Sequence, residues 1–398
     1  MNSSLEMKKV LSIAFTLLFQ LGFCQLEKQE LNPQNISEFV VTQKKATTET
    51  LALFYNLKKL SQTAFALGQQ NSFDGFYYNI KGKSDIKKTT GSDPAIIGLD
   101  FSNITDDKNT GNSDNWYFQQ EQKIISDAKK AYDQGMIVSF SWHFREPYKG
   151  EEFYSDRLTN KEKNRVKSIL AGGENHEYYK RKLDKIASIA KNLKGSDGKL
   201  IPVIFRPFHE FDGSWFWWGA NYCSAEEYKE LYIFTVEYLR DTKGITNFLY
   251  AFSPDNKFNT ETEYLSRYPG DSYVDVLGMD NYGDFDNKGE EGSKAANLKL
   301  KILSDLAKKR NKIAALTETG YQITFTKNPI EGFFSKYIYN ALTANDIAIS
   351  YVMFWENNEE AYFIPQPNMP DTADFLEFTS KEKTLLLNTL PKLYQMNH

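Results

Sequence analysis

The chain has 398 residues, of which 41% are hydrophobic and 25% are charged, and its formal net charge is −4. This balance supplies a large core and gives no basic patch or basic run that would indicate a nucleic-acid partner. The length exceeds that of an average domain, although α/β barrels routinely reach it as single units.

The N-terminus has the parts of a secretory signal. A charged Met-Lys-Lys start precedes a mostly apolar run over residues 10–23, and the small residues Gly22 and Cys24 mark a cleavage zone. We therefore predict that residues 1–24 are a signal peptide and that the protein is secreted or periplasmic. An outer-membrane lipid anchor through Cys24 is the less favoured alternative, because Phe23 is bulky for such a cleavage site.

The rest of the chain is predicted to be one domain. Residues 25–39 are polar and contain Pro33, so we expect a loose approach segment before a single domain over residues 40–398. No other apolar run has the length of a transmembrane segment. Without the signal, Cys223 is the only cysteine, so an internal disulfide is excluded. We also expect the protein to be a monomer.

Short apolar runs alternate with helical patterns along the whole domain. Eight strands alternating with helices indicate a parallel sheet, and eight is the number that closes a (β/α)8 TIM barrel. The rival doubly wound sheet would need a Gly-rich phosphate-binding turn, and none follows the first strands. The predicted strands are 63–67, 95–101, 136–142, 201–206, 247–252, 274–280, 313–317 and 347–354, and the predicted helices are 122–134, 179–193, 228–239, 297–309, 330–342 and 380–390.

Chemically useful residues gather where the predicted strands end. In a (β/α)8 barrel the active site lies at the carboxyl ends of the strands, so these residues are expected to share one face. Five of the six tryptophans are among the residues at strand ends, and Trp116 is the exception. The candidates are Trp142 and His143 after the third strand, Arg206, His209, Glu210, Trp215, Trp217 and Trp218 after the fourth, Tyr282 after the sixth, Glu318 after the seventh, and Trp355 after the eighth.

Two carboxylates and a group of indoles are typical of a site that cleaves sugars. Retaining glycoside hydrolysis needs two carboxyl groups about 5–5.5 Å apart, and Glu210 and Glu318 are the candidates. Burial among the indoles is expected to raise the pKa of Glu210, as a general acid requires. The hydroxyls of Thr317 and Thr319, together with Tyr282, are expected to hydrogen-bond an ionised Glu318.

Other chemistries lack their residues. The four histidines contain no His-Glu-x-x-His pattern, so no metal site is expected, and no cofactor fingerprint is present. A Gly-x-Ser-x-Gly elbow for a serine nucleophile is also missing.

The sequence resembles glycoside hydrolase family 26, which consists chiefly of endo-β-1,4-mannanases. The resemblance rests on Arg-Pro-Phe-His-Glu over residues 206–210 and Gly-Ser-Trp-Phe-Trp-Trp-Gly over residues 213–219. Thr-Glu-Thr-Gly at 317–320 and Asp-Asn-Tyr at 280–282 support it. Most barrel glycosidases of the wider clan have Asn before the acid/base Glu, so His209 at that place is specific to this family.

The resemblance implies a role for each candidate. Glu210 would be the acid/base and Glu318 the nucleophile, with retention of configuration. The expected substrate-binding residues are His143, His209, Trp215, Tyr282, Trp355 and Arg206, of which Trp215 and Trp355 would stack on sugars and His209 and Tyr282 would position substrate and nucleophile.

The implied substrate is β-1,4-mannan, galactomannan or glucomannan. A mixed-linkage β-glucanase and a β-1,3-xylanase are alternatives within the family, and a non-catalytic glycan-binding barrel is the alternative outside it. The presence of both Glu210 and Glu318 argues against a barrel that only binds glycans, because such a barrel does not need the pair. Glu356 follows Trp355 where some mannanases have a basic residue, which leaves preference at the outer subsites open. The insertion at 145–177 is expected to form one cleft wall, with endo or exo action undecided.

Overall fold

The computed structural model has eight parallel strands that close into a barrel, as predicted. Neighbouring strands pair in chain order, and β1 pairs with both β2 and β8 to close the ring. Each of the predicted strands overlaps an observed one. The strands are β1 Phe65–Gln70, β2 Ile96–Asp100, β3 Ile137–Trp142, β4 Val203–Pro207, β5 Phe248–Phe252, β6 Val276–Asn281, β7 Ile313–Thr319 and β8 Tyr351–Phe354, with a short β9 Thr384–Leu385 beside the start of β1.

Helices connect the strands and cover the barrel. Ser224 and Glu227 form the predicted capping box at the start of the helix after β4. Residues 333–343 are a π-helix, Phe333–Ile338, that continues into an α-helix. The α-helices are α1 Thr48–Leu60, α2 Asp85–Thr90, α3 Ser102–Thr105, α4 Trp116–Gln134, α5 Arg165–Ile169, α6 His176–Asn192, α7 Ala225–Glu237, α8 Glu261–Tyr264, α9 Gly289–Arg310, α10 Tyr339–Thr343 and α11 Thr372–Ser380.

The predicted helix over 380–390 is wrong. Helix α11 ends at Ser380, a turn follows, Thr384–Leu385 are extended as β9, and Leu387–Thr389 form only a single 3-10 turn. The backbone N–H of Phe65 donates to the carbonyl of Lys383 over 2.9 Å, so pairing with the exposed start of β1 overrides the local helical pattern.

Strand β7 carries a bulge directly before Glu318. Leu316 pairs with Met279 of β6, but the next pair is Asp280 with Glu318, so β7 has one extra residue at this point. The pairing with β8 shifts over the same stretch. Such bulges redirect side chains at the rims of barrels, and this one turns the end of β7 next to the end of β6.

The structure describes residues 30–42, 45–75, 83–159, 164–324 and 326–396. The predicted signal at 1–24 lies outside these ranges and stays a prediction. Residues Pro33–His398 form one unit by their contacts. In the predicted approach segment Ile36 is buried, and just after it Val41 donates its N–H to Asp275 over 2.7 Å. Within the described ranges, no helix combines the length and apolar content that crossing a bilayer requires.

Candidate active site

The chain turns sharply after β4, and this turn places His209 and Glu210 at the mouth of the barrel. Phe208 and Glu210 both adopt the left-handed region, with φ of 50° and 53°, which side chains other than glycine rarely adopt. The N–H of Glu210 donates to the carbonyl of Ser253 over 2.9 Å and holds the turn against the end of β5. Strain of this kind persists where the surrounding contacts fix it, and it is concentrated at functional sites.

Glu318 is held by a cation and a phenol. Its Oε1 accepts a hydrogen bond from the Tyr282 hydroxyl over 2.7 Å, as predicted, and its Oε2 accepts one from Arg206 Nη2 over 2.5 Å. Arg206 also contacts Asp280 through Nη1. Burial works against the charge of Arg206, but Asp280 and Glu318 overcome it and raise the pKa of the guanidinium. Glu318 is therefore paired with a permanently charged guanidinium.

One expectation about this cluster is wrong. The Thr317 hydroxyl donates to Asp280 over 2.7 Å and the Thr319 hydroxyl to the carbonyl of Asn281 over 2.7 Å, so neither holds Glu318. Arg206 is only 2% exposed and its guanidinium binds both carboxyl groups, and its predicted contact with substrate stays a prediction. Arg206 lies on β4, and its side chain reaches Asp280 of β6 and Glu318 of β7.

Glu210 contacts an indole where Glu318 contacts a guanidinium. It is 8% exposed, and its Oε2 accepts a hydrogen bond from the Trp215 indole. Burial raises the pKa of Glu210 well above its usual value, and the charges of Glu318 and Asp280 raise it further, while the Trp215 hydrogen bond opposes them weakly. Glu210 therefore holds a proton under conditions where an exposed glutamate has lost it, in agreement with the direction expected from the sequence.

His209 is a neutral imidazole within this cluster. Its side chain is 1% exposed, and burial together with the charge of Arg206 lowers its pKa well below the usual value. Its Nδ1 has no hydrogen-bond partner among the residues that the structure describes. The ring packs edge-on against His143 at 4.7 Å, so the two predicted histidines are neighbours.

Asp100 orients His143, and the sequence analysis missed it. The Asp100 carboxylate contacts His143 Nδ1 and accepts hydrogen bonds from Ser141 Oγ at 2.9 Å and the Ser102 N–H at 2.6 Å. Burial alone would raise the pKa of Asp100, but His143 and these donors lower it. The opposite edge of His143 faces Trp355, with ring centres 5.9 Å apart. One feature of the sequence could have identified both Asp100 and Asp280. Each is a carboxylate at or next to the end of an otherwise apolar strand.

The tryptophan group divides into two layers. Trp217 and Trp218 have 0% exposure, so the expectation that they line the mouth is wrong. Their indole N–H groups donate to the carbonyls of Phe144 at 2.7 Å and His209 at 2.8 Å, which lets the rings enter the core and support the site. Trp215 and Trp355 remain partly exposed, as a contact with substrate requires.

Gly213 makes room for the Trp215 indole. A Cβ atom at position 213 would lie 2.5 Å from Cη2 of Trp215, closer than any real contact. The Lys257 ammonium lies 4.8 Å from the centre of the same ring. Both residues therefore pack against the indole whose N–H donates to Glu210.

The site contains one group of atoms with metal-ligand spacing. His209, Asp280 and Glu318 place side-chain nitrogen or oxygen atoms within 4.8 Å of one another. Arg206 already binds both carboxylates, and a metal ion would have to displace this buried, permanently charged group. The residues therefore do not fit a resident metal, and metal-free action stays a prediction.

We expect Gly213→Ala to displace the Trp215 indole, because the added methyl overlaps the ring. The overlap should lower the free energy of unfolding by about 1–3 kcal/mol. In ¹⁵N-resolved NMR spectra, the Trp215 indole proton should move upfield as its hydrogen bond to Glu210 is lost. Ser214→Ala changes the next residue without bulk beneath the ring and is the control. An unchanged indole resonance in Gly213→Ala would contradict this packing.

The raised pKa of Glu210 predicts how stability changes with pH. Below the unfolded-state pKa of about 4.3, Glu210 is protonated whether the chain is folded or not and has no effect. As pH rises toward the higher folded-state pKa, unfolding releases the proton, so each unit of difference costs about 1.4 kcal/mol. Glu210→Gln removes this cost.

The Tm of Glu210→Gln should therefore equal that of the wild type near about pH 4 and exceed it increasingly as pH rises. Differential scanning calorimetry across this range measures the effect. Glu382→Gln, a change at an exposed side chain, is the control. A Tm difference that does not vary with pH would show that burial does not raise the pKa of Glu210.

Comparison with known proteins agrees with the geometry. The profile of Glycosyl hydrolase family 26 matches residues 41–339. A Mannan endo-1,4-beta-mannosidase of Bifidobacterium adolescentis is 37% identical over 374 residues, which cover 89% of this chain and 36% of that relative. The chain therefore spans little more than a third of the length of this relative.

Solved structures are similar over almost the whole chain. GH26C from Muricauda sp. MAR_2010_75 is 54% identical with a TM-score of 0.91, and the match covers 93% of this chain and 99% of that one. BoMan26A, a GH26 beta-mannanase from Bacteroides ovatus, is 35% identical with a TM-score of 0.76, covering 88% and 98% of the two chains. On the profile match and these similarities, the chain belongs to glycosyl hydrolase family 26.

Proposed function

We propose that this protein is a β-1,4-mannanase that hydrolyses mannan, galactomannan or glucomannan with retention of configuration. The observation that carries the proposal is the opposite environment of two carboxyl groups at one barrel mouth. Glu318 is paired with the Arg206 guanidinium, and Glu210 is buried where its proton is retained. A nucleophile and a general acid need this asymmetry. The substrate follows the relatives of this family that are named as mannanases.

In the first step, a Glu318 oxygen forms a bond to the anomeric carbon while the glycosidic C–O bond breaks. Glu210 transfers its proton to the departing oxygen, so the leaving sugar departs as a neutral alcohol. The product is a glycosyl ester of Glu318. Arg206 loses the charge of Glu318 in this step but keeps its contact with the Asp280 carboxyl group through Nη1.

The second step reverses these roles. Burial still raises the pKa of Glu210, but once Glu318 is esterified the charge of Glu318 no longer adds to it, so Glu210 can remain ionised after giving up its proton and act as the general base. Water then attacks the anomeric carbon, its proton passes to Glu210, and the ester bond to Glu318 breaks. Neutral His209 beside the cluster adds no charge that would disturb this cycle.

The glycan-binding alternative is less well supported. A binding barrel has no use for a buried carboxyl that retains its proton, and keeping Glu210 in a strained, desolvated position lowers stability at neutral pH. The glucanase and xylanase alternatives keep the same two carboxyl groups and differ in the sugars accepted.

Product analysis tests the substrate. The purified protein is incubated separately with unbranched mannan, galactomannan, mixed-linkage β-glucan and β-1,3-xylan. We expect manno-oligosaccharides from the two mannans and no products from the other polymers. Cleavage of glucan or xylan alone would overturn the substrate while leaving the two-carboxylate chemistry. Binding without cleavage of any polymer would favour the glycan-binding barrel.

Two variants test the assigned roles. Glu318→Ala should lower turnover by roughly ten-thousand-fold or more, because no nucleophile remains. Glu210→Ala should slow cleavage of mannan by about 10²–10⁴-fold but affect the first step on a dinitrophenyl mannobioside much less, since that leaving group needs no proton. Glu382→Ala at the exposed position is the control. Equal losses on both substrates in Glu210→Ala would remove its role as acid.

A further inference from the structure

A buried lysine of helix α9 reaches the turn that follows β6. Lys299 is 8% exposed, and its ammonium donates to Oδ2 of Asp284 over 2.7 Å. Asp284 is also buried, so both charges are withdrawn from water. The attraction within a buried ion pair is largely offset by the loss of hydration, so such a pair adds little net stability. The groups that this pair holds in place are therefore its more informative feature.

Asn281, at the end of β6, continues the contact into the neighbouring strands. Its Nδ2 donates over 2.9 Å to the same Asp284 oxygen that Lys299 contacts, and its Oδ1 accepts the Asp284 N–H over 3.1 Å. The same Oδ1 accepts from Asn256, after β5, over 2.7 Å. The Asn281 carbonyl accepts the hydroxyl of Thr319, on β7, over 2.7 Å. One buried asparagine thus joins the ends of three strands.

Helix α9 packs closely against this turn. A Cβ atom at Gly292 would overlap the carbonyl oxygen of Asp284, so only glycine allows this approach. Gly292 and Lys299 lie two helical turns apart and face the same side of α9. The Phe285 N–H donates to the carbonyl of Tyr282 over 3.0 Å and closes the turn. The helix therefore holds the turn both at a backbone carbonyl and at a carboxylate.

The same turn carries the phenol that contacts the nucleophile. Tyr282 directly follows Asn281, and its hydroxyl donates to Glu318 Oε1 over 2.7 Å. Thr319, which donates to Asn281, directly follows Glu318. A displacement of Asn281 would therefore move both the donor and the acceptor of this hydrogen bond. Attack on an anomeric carbon tolerates little misplacement, since an error of about 1 Å can lower a rate by about a hundredfold.

We propose that Lys299 is a positioning residue for the nucleophile Glu318. The proposal rests on the proposed function, because it takes Glu318 as the group that attacks the sugar. Lys299 holds Asp284 and, through it, Asn281. Asn281 in turn sets where Tyr282 and Glu318 meet. Because Lys299 belongs to a helix of the outer layer, its influence on the reaction passes through these intermediates.

An electrostatic route from Lys299 to the acid is the rival explanation. Burial raises the pKa of Asp255, and the charge of Lys299 is one of those that oppose this rise. Asp255 is in turn one of the charges that, together with burial, raise the pKa of Glu210. A change that acts through the acid affects only substrates whose leaving group needs a proton. Misplacement of Glu318 affects every substrate, because the nucleophile attacks in all of them.

Two substrates separate these routes. Lys299→Met removes the ammonium, and we expect kcat/KM to fall by roughly tenfold on both mannopentaose and a dinitrophenyl mannobioside. Lys301→Met removes an exposed Lys–Asp pair from the same helix and should keep wild-type rates on both substrates. A loss confined to mannopentaose would place the effect on the acid and overturn the positioning role. An equal loss in Lys301→Met would also overturn it.

A double-mutant cycle with Tyr282→Phe separates positioning from a general loss of structure. If Lys299 acts through the phenol, adding Lys299→Met to Tyr282→Phe should lower kcat/KM by less than about threefold further. A general destabilisation has no such dependence on the phenol. Two losses that simply multiply would therefore overturn the proposal.

A charge-neutral variant keeps the test decisive if the single change prevents folding, since Lys299→Met leaves Asp284 buried without its cation. Lys299→Met combined with Asp284→Asn removes both charges and keeps an acceptor for Asn281, so we expect a Tm close to that of the wild type. Its kcat/KM should remain roughly fivefold or more below the wild type on both substrates.

Wild-type rates in this folded variant would overturn the role of Lys299 alone. A wild type that cleaves neither substrate would overturn the proposed function and this inference with it.

Discussion

A buried guanidinium sets the chemistry of this barrel. Arg206 is 2% exposed and is bound on one side by Asp280 and on the other by Glu318. Arginine cannot lose its proton under protein conditions, so its burial is tolerable only with anionic partners. Glu318 is one of these partners, through its Oε2. Its charge in turn disfavours a second carboxylate nearby, and Glu210 is the group that takes the proton.

The backbone adopts locally unfavourable conformations to produce this arrangement. The bulge in β7 brings Glu318 beside Asp280, and left-handed residues at Phe208 and Glu210 place Glu210 over the barrel. Both features are unfavourable in isolation, so neighbouring contacts must hold them. The fully buried indoles of Trp217 and Trp218 supply part of that support through hydrogen bonds to loop carbonyls. Most of this tryptophan cluster therefore stabilises the site and does not meet the substrate.

Periodicity and strand-end chemistry predicted the barrel, its strands and the placement of Glu210 and Glu318 at one end. These features depend on residues close in sequence. The partner of Arg206 was not predictable, because Glu318 lies 112 residues away and only the closed barrel makes them neighbours. Burial of Trp217 and Trp218 depends on carbonyls at Phe144 and His209 that the local pattern does not reveal. The error at 380–390 has the same cause, since pairing with β1 decided its conformation.

The most direct test of the account is the identity of the residue that bonds to the sugar. A 2-deoxy-2-fluoro mannoside with an activated leaving group should slow the second step and trap the glycosyl-enzyme. Mass spectrometry of the digested protein should then find the adduct on the peptide containing Glu318, the carboxylate held by Arg206 and Tyr282. An adduct on Glu210, or cleavage of the natural substrate with inversion and no adduct, would contradict the account.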